Sequence, residues 1–170
     1  MLAGLLLAQP KGTTALLDAV CLGMNYLKRA RYSRRALVIL SDGGDNHSRY
    51  TEREIQERVR ESDLWIYAMG IFARPGPVGT PPRSKENLAG EKLLAGLAQA
   101  SGGRDFDVDT LADLPAVAAR ISLELRNQYI LGYRPANPSH DGKYHRVRVS
   151  LAEGQNLRVF WRPGYYGAAE

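Results

Sequence analysis

The chain has 170 residues, 44% hydrophobic and 24% charged, ordinary globular proportions that exclude a disordered tract or fibrous repeat and allow one core with an appendage. Its net charge of +5 is concentrated in residues 1–34, where five basic side chains meet one acidic one, so it reads as a solvated helix end and no nucleic-acid partner is expected. One cysteine, Cys21, excludes an intrachain disulfide and a cysteine-built zinc site.

Met1 to Ala8 is apolar but has no basic leader and breaks at Gln9-Pro10, so it reads as the end of a helix and not as a signal peptide. After Pro10-Lys11-Gly12, the residues Leu16, Leu17, Val20, Cys21, Met24 and Leu27 recur at helical spacing. Lys28, Arg29 and Arg31 gather where the helix dipole favours cations. Ala36-Leu37-Val38-Ile39-Leu40 is an unbroken apolar run that predicts a parallel strand covered on both faces, and Ser41-Asp42-Gly43-Gly44-Asp45 is the polar loop at its C-terminal end. Thr51, with Glu54 three residues on, is a capping box opening a helix that carries Ile55 and Val59. Residues 64–71 read as a second buried strand, followed by a proline- and glycine-rich loop from Arg74 to Pro82 over the same edge.

Leu93, Leu94, Leu97 and Ala98 mark the next helix, ended by Gly102-Gly103, and Arg104 to Val108 forms a short third strand. Leu114, Val117, Ala118, Ile121 and Leu125 line a further helix. This alternation predicts an α/β domain with a three-layer, Rossmann-like parallel sheet and helices on both faces, because parallel neighbours need crossover connections. No stretch approaches the roughly 20 apolar residues that cross a bilayer, so no membrane span is expected.

After Asn127 the pattern changes. Residues 128–133, 144–152 and 157–162 read as three strands without intervening helices, the last two joined by Glu153-Gly154-Gln155-Asn156, and so as an antiparallel β-meander. Val147, Val149 and Leu151 alternate with Arg146, Arg148 and Ser150, and Leu157, Val159 and Trp161 alternate with Arg158, Phe160 and Arg162. One face is apolar and the other a basic face that discourages edge pairing. The expected organisation is an α/β domain over residues 1–127 with a C-terminal β extension over 128–170.

Three blocks carry a resemblance. They are Gly12-Thr13-Thr14-Ala15-Leu16-Leu17-Asp18-Ala19, Leu37-Val38-Ile39-Leu40-Ser41-Asp42-Gly43-Gly44-Asp45-Asn46 and Trp65-Ile66-Tyr67-Ala68-Met69-Gly70-Ile71. In words, order and spacing they resemble a von Willebrand factor type A domain. Gln128-Tyr129-Ile130-Leu131-Gly132-Tyr133-Arg134-Pro135 and Arg162-Pro163-Gly164-Tyr165-Tyr166 are similar to the tail of a bacterial, acidobacterial-type subfamily of such proteins, which extends the resemblance over nearly the whole chain. The resemblance implies a non-enzymatic, adhesion-type module that binds a protein partner outside the cytoplasm. It also implies a magnesium ion at the carboxyl edge of the sheet, held by an Asp-x-Ser-x-Ser, a threonine and an aspartate.

Thr14 matches that threonine and Asp42 the aspartate, with Ser41 and Asp45 as neighbours of less defined role. The Asp-x-Ser-x-Ser is absent from the chain, which therefore resembles the second half of the domain. With an incomplete set of hard oxygen donors, magnesium binding is expected to be weak or absent. Two other readings stand beside the interaction module. In one, the chain is a structural half-domain whose open sheet edge at Ala36 to Leu40 pairs with another strand, giving a homodimer. In the other it is a metal-assisted hydrolase using Asp42, Asp45 and His47, which fold alone does not license. The bland alternatives are turn capping for Asp42, an N-cap role for Thr14 and a packed thiol for Cys21.

Overall fold

The computed structural model describes residues 12–72, 85–135, 141–152 and 157–168. The chain runs α1 (Leu16–Lys28), β1 (Arg35–Ser41), α2 (Glu52–Glu61), β2 (Leu64–Ile71), α3 (Lys85–Ser101), β3 (Arg104–Val108), a 3₁₀ turn (Leu111–Asp113), α4 (Leu114–Arg126), β4 (Tyr144–Arg146) and β5 (Gly164–Tyr166). Strands β1, β2 and β3 form a parallel sheet in that order, with Arg35 opposite Leu64 and Tyr67 opposite Arg104. The fold is thus mixed α/β, a partial Rossmann-like sheet with flanking helices and a separate two-stranded antiparallel sheet.

Alternation along β2 divides the core. Leu64, Ile66 and Ala68 join the buried faces of α1, α2 and α3, among them Leu17, Val20, Met24, Ile55, Val59, Leu94 and Leu97. Tyr67 instead meets Phe106 of β3 and Ile121 of α4 on the opposite face, with Trp65, Met69, Val117 and Leu125 packed around them. Helices therefore cover both faces of β2, as its apolar run predicts, but among the described residues β1 is covered on one face only: Val38 and Leu40 are 46% and 51% exposed, against the expectation for its run. Cys21 is buried in the larger cluster as a packed thiol, its sulfur facing Arg58 Nη1 at 3.4 Å.

The capping box of α2 is present: Glu54 N–H donates to Thr51 Oγ1 at 3.3 Å, and Thr51 N–H donates to Glu54 Oε2 at 2.8 Å. At the end of α3, buried Ser101 links helix to sheet. Its hydroxyl donates to Ala98 O and accepts from Ile66 N–H, both at 2.8 Å, and from Gly103 N–H at 3.1 Å. It satisfies β2 just before the register with β3 begins at Tyr67.

The C-terminal segment departs from the expected meander. Residues 128–133 carry no strand, the ladder expected over 144–152 is confined to Tyr144–Arg146, and residues 157–162 are not a strand at all. The partner of β4 is β5, beyond Pro163, with His145 opposite Tyr165. The alternation reports which side faces the protein body only in part: Val147, Val149, Val159 and Trp161 are half-buried and Arg146, Arg148, Arg158 and Phe160 exposed, but Leu151 and Leu157 are also exposed and Arg162 is half-buried. That orientation comes from docking and not from a ladder. Trp161 Nε1 donates to Val147 O, Arg162 Nη2 donates to Arg60 O, and a Cβ on Gly102 would lie 2.6 Å from Arg162 N. The loop from Arg74 to Pro82, the Met1 to Ala8 segment and the turn at 153–156 lie outside the described residues. No helix among the described residues is long and apolar enough to cross a membrane.

Candidate functional site

Where β1 ends, the backbone must leave the sheet through a polar loop, and loops at the carboxyl ends of parallel strands are where open α/β sheets build sites. Ser41 and Asp42 organise the exit: Ser41 Oγ accepts from Gly43 N–H and Asp42 Oδ1 accepts from Gly44 N–H, both at 3.0 Å. Side-chain acceptors of this kind favour tight turns. Gly43 takes φ +76°, a left-handed conformation that spares glycine the steric cost other residues bear.

The segment entering α1 is tied to this loop. Thr14 N–H donates to Asn46 Oδ1 at 2.9 Å, while Asn46 and His47 N–H both donate to Thr14 O at 3.0 Å. In the first turn of α1, Asp18 Oδ1 accepts from Arg49 N–H at 2.9 Å and Tyr50 N–H at 3.3 Å, and Asp18 N–H donates to Ser48 Oγ at 3.2 Å. Two stretches some thirty residues apart in sequence thus form one rim.

On that rim Thr14 and Asp42 are exposed, and Ser41 and Asp45 half-buried. Asp45 Oδ1 accepts from Ser48 N–H at 3.3 Å, and exposed His47 takes part through its backbone. Thr14 is not the helix cap, since Ala15 occupies that position. Two contributors went unassigned from sequence: Asn46 and Asp18, both inside quoted motif blocks. An Asn or Asp beside a polar loop is a known backbone-bonding signal, but its partner here is distant in sequence.

The donor chemistry can be set against the cation implied by the resemblance. Magnesium demands near-octahedral oxygen coordination and is usually bound through one or two carboxylates. The rim presents hard oxygens of the right type, but Ser41, Asp45 and one oxygen of Asp42 already accept backbone N–H groups. No group of three His, Cys, Asp or Glu side chains among the described residues is placed to hold a metal. These residues do not complete a site for the ion. At the opposite rim, a groove of about 480 Å³ lies between Gly102-Gly103 and the C-terminal segment, bordered by Val147, Phe160, Trp161 and Pro163.

Comparison with family models and with curated proteins gives no match. Among solved structures, the chain is similar to an aerotolerance-related membrane protein from Bacteroides fragilis bearing multiple mutations to serine. The TM-score is 0.55 and the identity 17%, over 74% of this chain and 67% of that one. It also matches the conserved hypothetical protein BatB from Bacteroides thetaiotaomicron, with a TM-score of 0.47 and 18% identity over 71% of this chain and 63% of that one. An uncharacterized membrane spanning protein from Vibrio fischeri matches with a TM-score of 0.43 and 21% identity over 65% of this chain, which spans 55% of that protein's length. At 17% identity the likeness to the Bacteroides fragilis protein is one of fold.

Proposed function

We propose that this chain is a non-enzymatic protein-interaction module of the von Willebrand type A class and that its contact surface is the carboxyl rim of the sheet. The observation that carries the reading is the double tie between the entry to α1 and the exit of β1, through Thr14–Asn46 and Asp18–Arg49, which holds exposed Thr14 and Asp42 on one prepared edge. The motif resemblance and the fold likeness to the Bacteroides fragilis protein support the class. The rim is a remnant of a metal-ion-dependent adhesion site, in which Thr14 and Asp42 are retained and magnesium contributes little.

Amide-resolved NMR with an aspartate-containing peptide in millimolar magnesium tests the surface. Shifts are expected at Thr14 and at residues 42–47, and shifts confined to the opposite rim would move the contact surface elsewhere. Phosphate-ester hydrolysis tests the absence of catalysis. No turnover is expected, whereas activity lost with chelator and with His47→Ala would replace this reading by a hydrolase built on Asp42, Asp45 and His47.

A further inference from the structure

The groove between the end of α3 and the C-terminal segment depends on two glycines. Gly102, at φ +83°, turns the chain out of α3, and a Cβ there would lie 2.6 Å from Arg162 N and 2.7 Å from Trp161 O. A Cβ on Gly103 would run into Ile66 O at 1.9 Å. One side of the groove is therefore bare backbone, against which the C-terminal segment lies directly. The other side is held by its own hydrogen bonds: Val147 N–H donates to Pro163 O at 2.8 Å, and Trp161 Nε1 donates to Val147 O at 2.9 Å. The one polar atom of the indole is thus satisfied, and Val147, Val159, Trp161 and Pro163 offer carbon to the cavity. The charge at its lip has a single sign. Arg146 and Arg148 line the groove and are exposed, and Arg158 is exposed beside Val159. Nearby, Arg104 pairs with Glu124 and Arg162 with Asp63, but among the described residues no carboxylate pairs with Arg146, Arg148 or Arg158.

We infer that this groove docks an acidic segment of a partner protein, with one aromatic or aliphatic side chain entering between Trp161 and the two glycines while flanking carboxylates meet Arg146, Arg148 and Arg158. Its volume of about 480 Å³ suits such an anchor, and pockets that take small ligands run to ~300–1,000 Å³. Guanidinium groups grip carboxylates through paired hydrogen bonds, and an apolar centre ringed by complementary charge is the ordinary anatomy of a docking site. Nucleic acid fits less well, because three arginines make a narrow footprint and a phosphate backbone leaves the apolar hollow unfilled. An uncharged apolar segment would fill the hollow but draw nothing from the arginines. This inference stands apart from the reading of the carboxyl rim, since the groove shares no residue with it.

Fluorescence anisotropy with a labelled peptide, one tryptophan between paired glutamates, reads the docking in chelator and at low salt. Saturable binding is expected, weakened at least tenfold by the double substitution Arg146→Glu with Arg148→Glu and several-fold when serine replaces the peptide's tryptophan. Rising ionic strength should weaken it as well. Arg53→Glu makes the same charge change on α2, outside the groove, and should bind as the parent does. Because Arg146 and Arg148 are exposed, their variants should keep the parent circular dichroism spectrum. Amide-resolved NMR should place the peptide's shifts at Gly102, Gly103 and Val147. No saturation at millimolar peptide, binding indifferent to the arginine substitutions or to the peptide's tryptophan, a tighter complex with a single-stranded oligonucleotide of equal charge, or shifts confined to Thr14 and residues 42–47 would overturn the inference.

Discussion

Gly43 and Gly90 meet backbone to backbone: a Cβ on Gly43 would lie 2.4 Å from the Cα of Gly90, and one on Gly90 would lie 2.6 Å from the carbonyl oxygen of Asp42. The loop leaving β1 is therefore pressed onto the first half of α3, and that contact positions Asp42. Alanine at Gly90 gains roughly 1 kcal/mol of helix propensity but must move backbone, an overpacking cost of about 1–3 kcal/mol. Gly43→Ala adds left-handed strain of roughly 1–2 kcal/mol. Chemical denaturation should rank Gly43→Ala below Gly90→Ala, with both less stable than the parent. Equal stability of all three would mean that the backbones do not touch.

Asp18 ties α1 to residues 49 and 50 through two backbone N–H groups. Asp18→Ala should cost about 2 kcal/mol, by removing hydrogen bonds to a charged acceptor and a carboxylate from the helix's positive end. Hydrogen exchange at Arg49 and Tyr50 should accelerate in this variant, while β2 remains protected.

Ser101→Ala deprives the buried Ile66 N–H of its side-chain acceptor, while Gly103 N–H keeps Ala98 O at 3.0 Å. An unsatisfied buried donor costs about 1–3 kcal/mol, so a loss of roughly 2 kcal/mol is expected by denaturation, above the effect of a surface serine.

Stability should fall at both ends of the pH scale. The Thr51 backbone N–H and then its hydroxyl hold the Glu54 carboxyl below its ordinary range. That contribution is complete above the ordinary glutamate value and vanishes as pH drops through the lowered one. Burial, and next the charge of Glu124, push the Tyr67 phenol up, so its contribution is present below the ordinary tyrosine value and fades as pH climbs toward the raised one. Thermal melts should show Thr51→Ala flattening the acid limb and Tyr67→Phe the alkaline limb.

Among the described residues the three parallel strands and four helices are legible because each carries its own local signal: the run at Ala36 to Leu40, the period of Leu93, Leu94, Leu97 and Ala98, the Thr51–Glu54 cap. A ladder is different, since it needs a partner in space. Val147 and Val149 alternate with arginines whether they pair or merely dock, so alternation predicts a longer meander than forms, and β5 at Gly164–Tyr166, after a proline, carries no strand pattern of its own. The rim was legible at Thr14 and Asp42 as residue types. The Thr14–Asn46 tie and the Gly43–Gly90 contact depend on tertiary approach and leave no local pattern.

Calorimetric titration of magnesium into the intact chain is the most direct measurement of whether this rim lacks the oxygen donors of a complete cation site. The expected isotherm shows no tight binding and is the same for Asp42→Ala. A micromolar dissociation constant that disappears in Asp42→Ala would contradict that expectation and require further ligands around Asp42.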